Sequence, residues 1–316
     1  MKIPPFRVAA LSALLVILSA CAAAPPAGTQ ASAPAAARST APPPPPPQNL
    51  LGSTDELALV TELALDLARK YGGEQVLVAL DIDNTLLAME QDLGSDQWYY
   101  WQQGLAKEDP CSPLLVDDRL AVQGALFYAS AMRPTQPDAA KQVRRMQDAG
   151  LRVIALTARG ADYRLQTFRE LRRNDFSLWN TAWPSQTGYA EQFTPEGFTR
   201  PVHYEDGVLF VAGQDKGVAL QTLLERSGTE KPVLILVVDD KRANLQQVMK
   251  AFSWTATKVH AWHYTREQPV VDAFDPAAAA RQWEALRPPL LQIEQLLGPD
   301  NFDLPADAPR EGCDGV

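Results

Sequence analysis

The sequence predicts an α/β fold built on a central parallel sheet, and three observations predict it. Short apolar runs of strand length alternate with segments of helical periodicity. The runs at 76–80, 151–156 and 233–238 are apolar at nearly every position, which suits strands covered on both faces. Each stops at a polar residue able to do chemistry: Asp81, Thr157 and the pair Asp239-Asp240. Parallel sheets bind ligands beyond the carboxyl ends of their strands, so these residues are expected to share one edge.

The first twenty residues are read as a targeting signal, not as fold. Lys2 and Arg7 make a positively charged start before an apolar run at 8–18 that is too short to span a bilayer. It ends in Leu18-Ser19-Ala20-Cys21, which resembles the lipobox of bacterial lipoproteins. That resemblance implies cleavage before Cys21 and acylation of Cys21, and Ala22 in place of Asp resembles lipoproteins sorted to an outer membrane. The expected location is therefore the cell envelope, facing the periplasm or the cell surface. Residues 21–52 are expected to form a tether. Up to about residue 49 they are rich in Ala, Pro, Ser and Thr, with six prolines at 42–47, and cannot bury a core.

The remaining elements follow in order. Ser53-Thr54-Asp55-Glu56 resembles a capping box opening a helix, with Leu57, Val60, Ala64 and Leu67 as its apolar stripe and Gly72-Gly73 closing it. After the strand at 76–80, a helix is expected over 137–149, with Pro137 at its start and Gly150 just past its end. The strand at 151–156 precedes a helix with Phe168 and Leu171 inward. Asp206-Gly207 predicts a hairpin turn between strands at 202–204 and 208–211. A helix over 216–226, the strand at 233–238, a further helix and a last strand at 258–262 complete a domain expected to span 53–300. Residues 301–316 are read as a tail.

With 29 basic and 38 acidic residues the chain carries a net charge of −9, which argues against nucleic acid as a partner. Of three cysteines, Cys21 is the expected lipid site; the sequence does not decide whether Cys111 and Cys313 form a disulfide or stay as thiols. His203, His260 and His263 form no metal-ligand pattern. His260 and His263, an odd number of positions apart on one strand, are read as structural.

The chemistry is concentrated at the strand ends. Asp81 and Asp83 sit two residues apart past a buried strand, a spacing that suits one carboxylate attacking phosphorus and the other moving protons. Thr157, at the start of a turn, offers a hydroxyl and nearby backbone N–H groups to a phosphate oxygen. Lys216, at a helix start, offers positive charge. Two adjacent carboxylates, Asp239 and Asp240, after the most apolar strand in the chain are costly unless a cation joins them, and oxygen donors favour Mg²⁺.

In order and position these segments, DIDNTLL, the Thr of LTARG, the Lys of GQDKG and VVDDKRAN, resemble the four motifs of the haloacid dehalogenase (HAD) superfamily. The resemblance implies a HAD-like Rossmannoid three-layer sandwich and phosphoryl chemistry. It implies Asp81 as nucleophile and metal ligand, Asp83 as general acid/base with its carbonyl on the metal, and Thr157 and Lys216 as phosphoryl-holding groups. Asp240 is expected to ligate Mg²⁺ directly, Asp239 directly or through water, and Asn244 to support them. Residues 88–136 fall where the superfamily inserts a cap and are expected to form a small, mainly helical one, with a helix over 114–131. The spacing of Trp98 and Trp101 fits that insertion's own core better than a nucleobase platform. Arg133 and Arg159 are either phosphate aids or surface residues. The expected activity is a Mg²⁺-dependent phosphomonoesterase acting on a small phosphorylated substrate, similar in layout to secreted lipoprotein acid phosphatases. A phosphotransferase, or a non-catalytic phosphoryl-binding or structural lipoprotein, is the alternative.

Overall fold

The structure, a computed structural model, describes residues 45–184, 189–298 and Cys313. The expected signal, Cys21, most of the tether and the tail apart from Cys313 lie outside these residues.

Ten strands are present among them: β1 (Leu50–Thr54), β2 (Val76–Leu80), β3 (Leu87–Met89), β4 (Met132–Pro134), β5 (Arg152–Thr157), β6 (Glu191–Phe193), β7 (Val202–Glu205), β8 (Val208–Phe210), β9 (Leu234–Asp239) and β10 (Lys258–Tyr264). Eight form one sheet in the order β1-β10-β9-β2-β5-β8-β7-β6, parallel from β1 through β8, with β7 and β6 added antiparallel. The protein is therefore α/β, a large and mostly parallel central sheet flanked by helices.

The two-faced burial of the central strands explains their unbroken apolar runs. Val76, Val78 and Leu80 of β2, with Val153, Ala155, Leu234 and Leu236, enter a core under α1 (Leu57–Tyr71) and α4 (Ala139–Asp148). Leu77 and Ala79, with Ile154, Leu156, Ile235 and Val237, enter a second core under α6 (Lys216–Arg226) and α7 (Arg242–Ala251). Every residue of β2 and β9 is buried. The α5 helix (Arg164–Arg173) turns Leu171 into the first core, with Phe168 packed against it.

The helix α1 buries the expected stripe and ends at Gly72, but the segment before it differs from expectation. Residues 50–54 form the edge strand β1, so ordered structure begins inside the stretch read as tether. The helix opens after Glu56 without a side-chain cap of its own. Its first N–H, on Leu57, instead donates to Gln136 Oε1 at 2.7 Å, a partner 79 residues away that local sequence cannot announce.

Between β3 and β4, which pair as a two-stranded ribbon, lie α2 (Asp96–Glu108) and α3 (Arg119–Ala129). The helix expected over 114–131 is thus shorter at its start. Trp98 is buried with Val116, Val122 and Leu126 in a third core, and Trp101 packs beside it against Phe274. Ala279 and Leu290 of the terminal helix α9 (Pro276–Leu297), which follows the short α8 (Gln268–Asp272), complete that core. Cys111 and Cys313 form a disulfide with their Cα atoms 5.4 Å apart. Among the described residues no helix is long and apolar enough to cross a membrane.

Candidate active site

The parallel strands deliver the expected residues to one edge. Asp81 follows β2 directly, its N–H donating to the Val238 carbonyl on β9 at 2.9 Å. The chain then tightens: the Ile82 carbonyl accepts from the N–H groups of Thr85, Leu86 and Leu87, and Asn84 takes a left-handed φ of 58°. That turn raises Asp83 beyond the strand end and starts β3.

Lys216 enters from the opposite core. Asp215 caps α6 by accepting from Val218 N–H at 2.9 Å, which makes Lys216 the first helical residue. Gly217 lets α6 press on α7, since a Cβ there would lie 2.2 Å from the Gln247 carbonyl oxygen. The Lys216 ammonium, 1 % exposed, donates to Asp81 Oδ1 and Asp239 Oδ2, both at 2.7 Å. Burial alone pulls that ammonium's pKa down, but the carboxylates of Asp239 and Asp81 outweigh it and hold the proton on.

Asp239 has both oxygens occupied. Oδ1 accepts from Lys241 N–H at 2.8 Å and from Asn244 Nδ2 at 2.9 Å, while Oδ2 takes Lys216. Asp240 is the reverse case: its Oδ1 is buried and accepts from no group among the described residues. Burial, then repulsion from Asp81, pushes its carboxyl up to about 9. Asp81 is pushed up to about 7 by burial, with Asp239 and Asp83 adding to this and Lys216 opposing it.

Asp81, Asp239 and Asp240 bring ligand oxygens within 4.8 Å of one another. Around them five carboxylates, Asp83 and Asp96 included, face three cations, Lys216, Arg159 and Lys241. A divalent cation matches that deficit, and the orphaned Asp240 oxygen together with Asp81 are the ligands it would find. Asp239, already saturated, fits the outer role of holding Lys216 and Asn244 in place. Cation binding must displace protons from Asp240 and Asp81. Affinity measured by calorimetric titration is therefore expected to rise with pH across about 6 to 9, by up to about tenfold per unit for each proton released. A flat profile would show that these carboxyls are not the ligands.

Three residues, Arg159, Lys241 and Arg133, make contacts that the sequence reading left open or missed. Arg159 is neither a surface residue nor free for phosphate. Buried, it grips Asp83 through Nε and Nη2 at 2.9 and 2.8 Å, donates to Thr167 Oγ1 at 2.8 Å and lies 4.5 Å over the Phe127 ring of α3. Burial raises the Asp83 carboxyl, yet the Arg159 guanidinium overrides it and leaves Asp83 below its usual range. Thr157 is buried at the end of β5, its Oγ1 accepting from Arg159 N–H at 3.1 Å. Lys241 reaches from beside Asp240 to Asp96 at the start of α2 and sits 3.7 Å over the Tyr100 ring. Arg133 makes a two-pronged pair with Glu267 at 2.9 and 2.8 Å.

The histidine reading needs one refinement. His260 binds the Gln48 carbonyl, whereas His263 donates from Nε2 to the Asp240 carbonyl at 2.9 Å and so fixes the backbone of the carboxylate pair. A cavity of about 490 Å³ lies elsewhere, between α2, residues 113–117 and α9, and is lined by Trp98, Trp101 and Trp283.

Residues 58–296 match the sequence profile of the family described as Protein of unknown function (DUF2608), and the chain belongs to that family. No curated protein matches it.

Proposed function

We propose that the chain is a Mg²⁺-dependent phosphohydrolase, a phosphomonoesterase with Asp81 as the nucleophile. One observation carries this reading: Lys216 bridges the buried Asp81 and Asp239, while the neighbouring Asp240 has an oxygen without a partner among the described residues. Burying like charges this closely is costly, and a site for a cation and a phosphoryl group gives the cost a purpose.

Mg²⁺ would be held by Asp81 and Asp240 and, when bound, neutralises charge on the transferring group. Lys216 orients Asp81 and adds a second positive charge beside it. An Asp81 oxygen attacks phosphorus, the bond to the leaving oxygen breaks, and an aspartyl phosphate forms. Water then attacks that phosphorus, giving up a proton to Asp83, and inorganic phosphate leaves Asp81 free. Asp83, ionised against Arg159, is prepared for this second step. To protonate a leaving group in the first step it must part from Arg159. Substrates whose leaving groups need little protonation are therefore the appropriate first test.

The HAD-like reading of the fold, with residues 88–136 as its cap, belongs to the same proposal. It is supported by the insertion of α2 and α3 between β3 and β4 and by the contact of α2 with Lys241. So does the anchor at Cys21 in the cell envelope, which is supported by the sequence at 8–21 alone. The Asp83–Arg159 pair favours a second reading, a phosphoryl-binding lipoprotein with little turnover. Hydrolysis of an aryl phosphate separates the two. The phosphatase releases phosphate with Mg²⁺ and stops when the metal is chelated; a folded, metal-loaded protein without turnover leaves only the binding role.

A further inference from the structure

The helix α9 comes from the far end of the chain, yet its buried side chains serve the insertion. Ala279 and Leu290 lie in one apolar core with Trp98, Val122 and Leu126, and in neither of the two cores that cover the sheet. The joints around that core are of three kinds. Leu93 N–H donates to Gln282 Oε1 at 3.1 Å, Trp101 packs on Phe274 just before α9, and Cys111 is bonded to Cys313 beyond it. Two distant stretches of chain therefore build one body with a core of its own.

This body reaches the carboxyl edge of the sheet on both sides of the nucleophile. Arg159 and Tyr163 follow β5, Lys241 follows β9, and β2 with Asp81 lies between those strands. On the β5 side the attachment is broad. The Leu120 carbonyl accepts from Tyr163 at 2.8 Å, and the Phe127 ring meets both Tyr163 and Arg159. Arg169 donates to the carbonyls of Phe127 and Ser130 at 2.7 and 2.8 Å. The two chain connections into the body, β4 and the residues just before α8, are clamped together by the Arg133–Glu267 pair.

On the β9 side α2 meets the core through Lys241, which pairs with Asp96 and sits over Tyr100. The two charged side chains keep contact with water, 20 % exposed for Asp96 and 31 % for Lys241. An ion pair so placed holds weakly and parts at low cost. With the body in this position Asp81 is only 5 % exposed, and Thr157 is not exposed at all. A phosphoryl group with its leaving group cannot lie against a carboxylate closed off to that degree.

We propose that the insertion and α9 form a single lid that turns about its α3 side, with Lys241 on Asp96 and Tyr100 as the latch, so that substrate reaches Asp81 only when the latch parts. A body with a separate core and a small, polar contact on its free side is free to move as a unit. The disulfide gives α9 its part in this: it ties the helix to the insertion, so the two travel together. The inference rests on the phosphohydrolase reading in one respect, the need for a phosphoryl group to reach Asp81.

The test measures distances between pairs of spin labels in the full-length chain carrying Cys21→Ser, with Cys111–Cys313 intact. Labels at Lys107→Cys on α2 and Ala285→Cys on α9 are each paired with Lys250→Cys on α7, and with one another. Both distances to α7 are expected to show a minor longer component. Asp96→Asn and, independently, Lys241→Met should enlarge that component about fivefold or more in both pairs, while the distance from α2 to α9 stays single and unchanged. The last pair also reports whether the body itself remains folded. Distances to α7 that neither variant alters overturn the latch. A distance from α9 to α7 that stays fixed while that from α2 lengthens overturns the single lid. None of these readings needs turnover, so a lid that opens in a protein hydrolysing no phosphate supports this inference and removes the phosphohydrolase.

Discussion

Asp81→Asn is expected to abolish turnover, by about four orders of magnitude or more, and at the same time to make the cation-free protein harder to unfold. The first effect follows from replacing the carboxylate proposed to attack phosphorus with an amide that is a far weaker nucleophile. The second follows from the carboxyl's own environment. Burial raises Asp81 from an ordinary 3.8 to about 7, Asp239 and Asp83 add to this, and Lys216 only partly offsets it. Between those values the folded protein keeps a proton that the unfolded chain has released, so cation-free stability falls as pH rises through this window. A neutral amide escapes that loss. At pH 8 in chelator the variant should gain roughly 1–3 kcal/mol, or about 2–8 °C for a domain of this size. Near pH 5 the gain should shrink. Denaturant titrations at the two pH values, beside phosphate release, measure both effects. Residual full turnover would sink the nucleophile; a loss of stability would mean that the Asp81–Lys216 pair is a net stabiliser.

Why some residues were legible and others were not follows from how local their determinants are. Asp81, Thr157 and Asp239-Asp240 were found because each ends an apolar run, and a run covered on both faces writes itself into consecutive positions. Lys216 was found because a lysine at a helix start, three residues past Gly213, is a local pattern. The edge strand β1 was missed for the opposite reason. Only Thr54 of its five residues is buried, so it has no face to pattern, and its order comes from β10, some 210 residues downstream. The capping-box reading of Ser53 to Glu56 failed because Gln136 supplies the acceptor from another element.

The role of Arg159 had a signal that went unread. Asp83 lies two residues past Asp81, and Arg159 lies two residues past Thr157, on the adjacent strand of a parallel sheet. The register sets Leu80 opposite Ala155, so Asp83 and Arg159, three and four residues further on, leave neighbouring strands at nearly the same height, and opposite charges there pair. The link from Lys241 to Asp96 and Tyr100 had no such signal. It joins the loop after β9 to the insertion, and nothing in sequence fixes how an insertion packs over the edge that it covers.

Lys216→Met is expected to be the most damaging single change at this edge, inactive and less stable by about 3–5 kcal/mol. Among the described residues the ammonium is the one charge paired with both Asp81 and Asp239, at 2.7 Å from each, and its own proton is held on by them against the pull of burial. Without it, three carboxylates with oxygens inside 4.8 Å face one another in the sheet's buried edge. Two further measurements separate this electrostatic cause from poor packing of the methionine. Added Mg²⁺ should raise the variant's melting temperature by more than it raises that of the parent, because the cation becomes the main counter-charge for the cluster. Adding Asp239→Asn to Lys216→Met should recover part of the lost stability, whereas Asp239→Asn alone should cost stability, because Asp239, unlike Asp81, also holds Lys241 N–H and the Asn244 amide. A double-mutant cycle that closes to zero would show the two side chains to be uncoupled. The bridge on which the placement of Asp81 rests would then contribute nothing.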